Sequence, residues 1–197
     1  MTNKFNSDSI SEILKNHQEV IRLMENELMY KSIISSVEKI VTSLKNGNRL
    51  YLCGNGGSAA DAQHLAAEFT GRFFIDRKSL PAEALHCNTS YLTAVGNDYG
   101  YEHIYSRLVD GIMNKGDVLI GLSTSGNSKN IVNAFKHANL KGVTSIGLTG
   151  AQKGEMDNYS DIILKAPSKS TPRIQEAHIL IGHIICEFVE KIYFENE

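Results

Sequence analysis

Val118-Leu119-Ile120-Gly121-Leu122-Ser123-Thr124-Ser125-Gly126-Asn127-Ser128 is an apolar run that ends in a turn of hydroxyl and glycine residues, and a helical pattern begins just beyond it, near Asn130. A strand that stops at such a turn and feeds a helix gathers unpaired backbone N–H groups, hydroxyl donors and the positive end of a helix dipole into one small volume. That volume suits a phosphate. The same grammar occurs where Leu50-Tyr51-Leu52-Cys53 runs into Gly54-Asn55-Gly56-Gly57-Ser58 and then into a helical segment holding Asp61, His64 and Glu68. One loop of this kind is compatible with an ordinary strand-to-helix connection, and a second in the same chain weakens that reading.

Short β-type runs alternate with helical stretches from Arg49 onward: Leu50 to Cys53, Glu83 to Cys87, Val118 to Leu122, Val143 to Thr149 and Ile162 to Lys165. Strands separated by helices imply βαβ crossovers and a mainly parallel sheet, here a three-layer, doubly wound α/β fold of about five strands. Ligands of such sheets sit beyond the carboxyl ends of the strands, where both Gly/Ser loops emerge, so the loops can share one pocket. Before the first strand, Ile10, Ile13, Leu14, His17, Ile21, Met24 and Leu28 recur at helical steps, and Ile33, Val37, Ile40, Val41 and Leu44 do so again. Residues 1–48 thus read as an N-terminal helical pair that packs either in an oligomer or over its own sheet, within a single domain spanning 1–197. Thr171-Pro172, a capping hydroxyl followed by a proline, opens a last helix expected to run from Arg173 to about Phe194.

Composition narrows the partners. The 197 residues are 42% hydrophobic, enough for one buried core, and 20 basic against 22 acidic side chains leave a net charge of −2. No Lys/Arg stripe is present to hold a nucleic acid. Three cysteines, Cys53, Cys87 and Cys186, lack CxxC spacing and leave an odd one over, which fits buried, reduced thiols in the cytoplasm. Met1-Thr2-Asn3-Lys4-Phe5-Asn6-Ser7 lacks the apolar centre of a signal peptide, and no stretch has the length of a membrane span.

His64 and Glu68 are four residues apart in a predicted helix and share one face. An imidazole and a carboxylate at that spacing can chelate zinc or work as an acid/base pair, and the spacing alone does not choose. Glu68 stands about three turns beyond the first Gly loop. The last helix carries Gln175, His178 and His183, with Gln175, Ile179, Gly182 and Cys186 on one face and the two histidines on its opposite flanks. Periodicity does not select between those histidines. Gly182, costly inside a helix, points to a close neighbour there, another helix or a ligand. Asn97-Asp98, in Val95-Gly96-Asn97-Asp98-Tyr99-Gly100, can either cap the next helical turn or bind sugar hydroxyls.

Taken together, Cys53-Gly54-Asn55-Gly56-Gly57-Ser58, His64 with Glu68, Thr70-Gly71-Arg72, Gly96-Asn97-Asp98, the Ser123–Ser128 loop and Arg173-Ile174-Gln175-Glu176 with His178 and His183 resemble the phosphoheptose isomerases of the sugar-isomerase (SIS) fold group. The resemblance covers essentially the whole chain. It implies a homotetramer with active sites between subunits, acting on a phosphorylated seven-carbon sugar: D-sedoheptulose 7-phosphate becomes D-glycero-D-manno-heptose 7-phosphate, the entry to activated heptose for bacterial surface polysaccharide. It implies zinc on His64, Glu68, Gln175 and His183, with Glu68 and His183 moving protons. The substrate contacts it implies are Asn55, Gly56, Gly57, Ser58, Glu68, Asn97, Asp98, Ser123, Thr124, Ser125, Ser128 and Gln175. Pro172 departs from the pattern of members that carry Asp at this position. Non-catalytic SIS proteins, which bind phosphosugars for regulation or serve replication initiation, share the fold and the serine loop. Retention of Glu68 and His183 separates this chain from them. Isomerases of other phosphosugars are not separated by sequence.

Overall fold

The two apolar runs that end in Gly/Ser turns are neighbouring parallel strands, β1 (Leu50–Gly54) and β3 (Val118–Ser123), with Cys53 opposite Gly121 and Gly54 opposite Leu122. They form the middle of a computed structural model that describes residues 6–195; residues 1–5, part of the stretch read above for a signal peptide, lie outside it. With β2 (Ala82–Ala84), β4 (Thr144–Thr149) and β5 (Ile162–Lys165), they make a five-stranded parallel sheet of order β2-β1-β3-β4-β5. In this order the chain winds outward in opposite directions from β1 and β3. The crevice at that reversal, beyond the carboxyl ends of the two strands, is where doubly wound sheets bind ligands.

Side chains alternate between the two faces of each strand. Leu50, Leu52, Val118, Ile120 and Leu122 enter a core shared with α2 (Glu27–Lys45), α3 (Gly57–Thr70) and α7 (Thr171–Tyr193), whereas Tyr51, Cys53 and Leu119 pack with α4 (Thr89–Asp98), α5 (Ser106–Ile112) and α6 (Lys129–Lys141). Helices thus cover both faces and make the three layers. α1 (Ser7–Met24) lies against α7 and contributes Val20 and Met24 to the first core. Among the described residues no helix is long and apolar enough to cross a membrane.

Local chemistry shifts several element ends from the sequence reading. Asn26 caps α2 through Met29 N–H at 3.0 Å, so the first helical repeat breaks after Met24, and Leu28 falls in the second helix, 76% exposed. The second strand stops at Ala84 rather than Cys87, because Cys87 N–H turns back to the Ala84 carbonyl and Asn88 caps α4. Cys87 is accordingly exposed, unlike Cys53 and Cys186. Ser170, not Thr171, occupies the cap of α7, and its hydroxyl makes no capping bond.

Two features hold α3 against α7. The helices run side by side in the same direction, and a Cβ on Gly182 would stand 2.5 Å from Leu65 Cδ1, so the close neighbour there is a helix. Farther along, the buried Arg77 guanidinium donates to a Glu190 carboxylate oxygen at 2.7 Å and to the carbonyls of Glu68 and Phe69, both at 2.8 Å. The Glu190 carboxylate also accepts from Phe73, Phe74 and Ile75 N–H. The polar groups of this ion pair are well satisfied, which offsets the cost of burying its charges. It ties the α3 end that bears Glu68 to the helix that bears His183.

Candidate active site

The first loop turns from β1 into α3 through Gly56 at φ 56°, a left-handed conformation that favours glycine. Tyr105, fully buried, donates its hydroxyl to the Gly54 carbonyl and holds the strand end in place. Asn55 then projects beside the second loop: its amide exchanges two hydrogen bonds with Asn130 on α6, at 2.8 and 3.0 Å. In the second loop the Ser123 hydroxyl lies 2.9 Å from that of Ser128 and 3.5 Å from that of Ser125, and Asn127 N–H donates to Ser125 Oγ at 3.1 Å. Ser128 occupies the cap of α6 without a side-chain capping bond. Clustered hydroxyls at the start of a helix are the ingredients of a phosphate site. Asn55 and Ser128 line one cavity of about 300 Å³, so the two loops meet there, whereas Thr124 and Ser125 line a second cavity of about 150 Å³ beside Gly150 and Thr171. Gly56 and Gly57 are exposed, while Ser58 is 3% exposed.

Farther along α3, His64 Nε2 is 3.0 Å from His183 Nε2 and 3.4 Å from Glu68 Oε1. Bonds of about 2.0–2.1 Å to zinc put the edges of a tetrahedral donor set at about 3.3 Å, so these two distances fit such an ion. All three donor atoms lie within 4.8 Å of one another. The structure therefore chooses between the histidines of α7. His178 is fully buried, with Nε2 3.1 Å from the Thr149 carbonyl, and burial holds its pKa down at about 4. It is a neutral core residue, and His183 faces the cluster. Gln175 comes about two turns before His183 on α7, and its amide would be 2.8 Å from a Cβ on Gly57. That places it beside the first loop; its reading as a fourth metal ligand rests on the resemblance. Asp61, one turn before His64, was not singled out by sequence. Burial raises its carboxyl above the ordinary range against the opposing pull of His64 and His183.

Asn97 and Asp98 end α4, exposed and joined by a 2.8 Å hydrogen bond from Asn97 Nδ2 to Asp98 Oδ1. Neither caps the 3-10 turn at Tyr101–His103, which starts after Gly100. Tyr101 reaches across the cavity mouth to Asn55 Oδ1 at 2.9 Å. Sequence reasoning passed over Tyr101 and Asn130; their only signals are adjacency to Asn97-Asp98 and to the serine loop.

Residues 14–150 match the SIS domain family. The chain is 49% identical over 193 residues to a phosphoheptose isomerase of Aneurinibacillus thermoaerophilus, covering 95% of this chain and 98% of that one. The chain belongs to the phosphoheptose isomerase family. Solved structures agree: a phosphoheptose isomerase from Francisella tularensis superposes with TM-score 0.90 at 34% identity, covering 95% of this chain and all of that one. Another, from Neisseria gonorrhoeae, gives 0.87 at 38% identity over 93% of this chain and 98% of its own.

Proposed function

We propose that this chain converts D-sedoheptulose 7-phosphate into D-glycero-D-manno-heptose 7-phosphate, the first step toward activated heptose for a bacterial surface polysaccharide. It is a phosphosugar isomerase by family. The observation that carries the reading is the convergence of Glu68 and His183, from different helices, on one point, with Glu68 on the helix that starts from the first Gly loop. Ketose-to-aldose isomerisation moves a proton from C1 to C2 and another between the two oxygens, passing through a cis-enediol. Glu68 takes the C1 proton and returns it to C2, and His183 carries the proton from the C1 hydroxyl side to the C2 oxygen as each requires. The serine loop and the Asn55–Gly57 turn anchor the phosphorylated sugar, with Asn97, Asp98 and Gln175 directed to its hydroxyls.

Zinc belongs to the same proposal. His64, Glu68 and His183 would hold it, with Gln175 as the fourth donor, and the ion would supply carbonyl polarisation or fix the site's shape. Cytoplasmic location and a homotetramer with sites between subunits complete the reading. Apolar residues left on the outside of the N-terminal helices support the oligomer, among them Ile10 at 63% and Leu14 at 58% exposure. The test is a panel of five-, six- and seven-carbon ketose phosphates with products identified by NMR. The seven-carbon ketose is expected to give the highest kcat/KM, and a clear preference for a shorter sugar would replace this substrate assignment with isomerisation of that sugar.

A further inference from the structure

The amide of Asn55 is nearly saturated by protein partners. Its Oδ1 accepts from Asn130 Nδ2 at 2.8 Å and from the Tyr101 hydroxyl at 2.9 Å, and its Nδ2 donates to Asn130 Oδ1 at 3.0 Å. An amide oxygen offers two lone pairs and an amide nitrogen two hydrogens, so one N–H of Asn55 is all that remains for a ligand. The direction of this arrangement is set by the backbone. Asn130, 3% exposed, also accepts Ile131 N–H at 3.0 Å, a donor it shares with the Ser128 carbonyl at 3.0 Å; a flipped Asn130 would set its NH2 group against that N–H, so the oxygen is the favoured atom there. Asn130 is thereby held in one amide orientation, and it imposes the matching orientation on Asn55. Once Asn130 has set that orientation, the Tyr101 hydroxyl, which can donate or accept, fills the second lone pair of the Asn55 oxygen in the cavity that Asn55, Tyr101, Asn130 and Ser128 line.

We infer that Asn130 and Tyr101 are positioning residues that hold Asn55 as a pure N–H donor, aimed at an anionic or carbonyl oxygen of the phosphosugar. The inference rests on Asn55 being a substrate contact. An amide free to turn would present its oxygen to the same ligand half of the time, and that oxygen repels a phosphate or a developing oxyanion. Fixing the flip in the free protein removes this cost before the sugar arrives.

The test is a double-mutant cycle on the full-length protein with sedoheptulose 7-phosphate, reading kcat and KM separately. Asn55→Ala is expected to lower kcat/KM by about 10- to 100-fold, and Tyr101→Phe and Asn130→Ala each by about 3- to 10-fold in the Asn55 background. In the Asn55→Ala background the two further changes should have almost no effect, because they act through an amide that is gone. A purely structural role would lower kcat/KM equally in both backgrounds and would overturn the inference. Tyr101 is 57% exposed, so Tyr101→Phe keeps the cycle readable even if Asn130→Ala fails to fold. Asn55→Asp supplies the second measurement: an acceptor-only side chain should weaken calorimetric binding of the sugar phosphate beyond the loss in Asn55→Ala. Equal or tighter binding by Asn55→Asp would refute the donor role. Wild-type kcat/KM in Asn55→Ala would instead remove Asn55 from the substrate site, a separate failure.

Discussion

His178 and His183 differ by five positions on one helix, yet the fold gives them opposite fates. Both flank the same helical face in sequence, and the choice is made by what packs opposite: the Thr149 carbonyl for His178 and the α3 imidazole for His183. That information lies in tertiary contacts at large sequence separation, which is also why the Asn55–Asn130 pair was not legible. A buried neutral histidine has a measurable signature. The pKa of His178 is depressed to about 4 in the fold from 6.5 when unfolded, so its neutral form stabilises the protein fully above pH 6.5. As pH falls toward 4 the unfolded chain takes up the proton and the folded one does not, with a loss approaching about 3 kcal/mol. His178→Gln retains an N–H for Thr149 and carries no titrating ring. Thermal unfolding of this variant is expected to fall less steeply than wild type between pH 6.5 and 4; parallel slopes would remove His178 as the source.

At the scale of elements, most of the fold was legible because its causes are local. Alternating runs gave the parallel strands, and two strand–Gly/Ser-loop–helix units marked the β1/β3 crevice. Element ends were less legible, since a single side chain such as Asn26 or Asn88 can end one segment and cap the next. Apart from the resemblance, the α3/α7 seam was visible only as a helical glycine. Placing a methyl group there tests whether the seam sets the site. Gly182→Ala gains about 1 kcal/mol of helix propensity but forces Leu65, 2% exposed, out of its place, an overpacking cost of about 1–3 kcal/mol. The net is expected to be a Tm lower by about 2–6 °C and, if the cluster binds zinc as proposed, faster loss of added zinc to a chelator as His64 moves from His183. A higher Tm with unchanged zinc retention would mean that the helices can part without cost to the cluster.

On the scale of the whole molecule, the proposed mechanism takes its anion crevice from the doubly wound sheet and its proton-transfer groups from α3 and α7. Neither part isomerises a sugar alone: loops without Glu68 and His183 would only bind, and the cluster without the loops would have nothing to anchor a substrate. Binding and chemistry are therefore expected to separate on substitution. Glu68→Gln keeps the size and much of the hydrogen-bonding shape of the carboxylate but removes its basicity. Proton transfer of this kind commonly contributes two to four orders of magnitude, about 3–5 kcal/mol of barrier. The decisive measurement is deuterium incorporation from solvent into sedoheptulose 7-phosphate by folded, zinc-loaded protein, monitored by NMR. Wild type is expected to exchange label at the sugar carbon, and Glu68→Gln to lose that exchange at least a hundredfold while still binding the sugar phosphate. Exchange by Glu68→Gln at the wild-type rate would contradict the assignment of Glu68 as the base and the mechanism built on it.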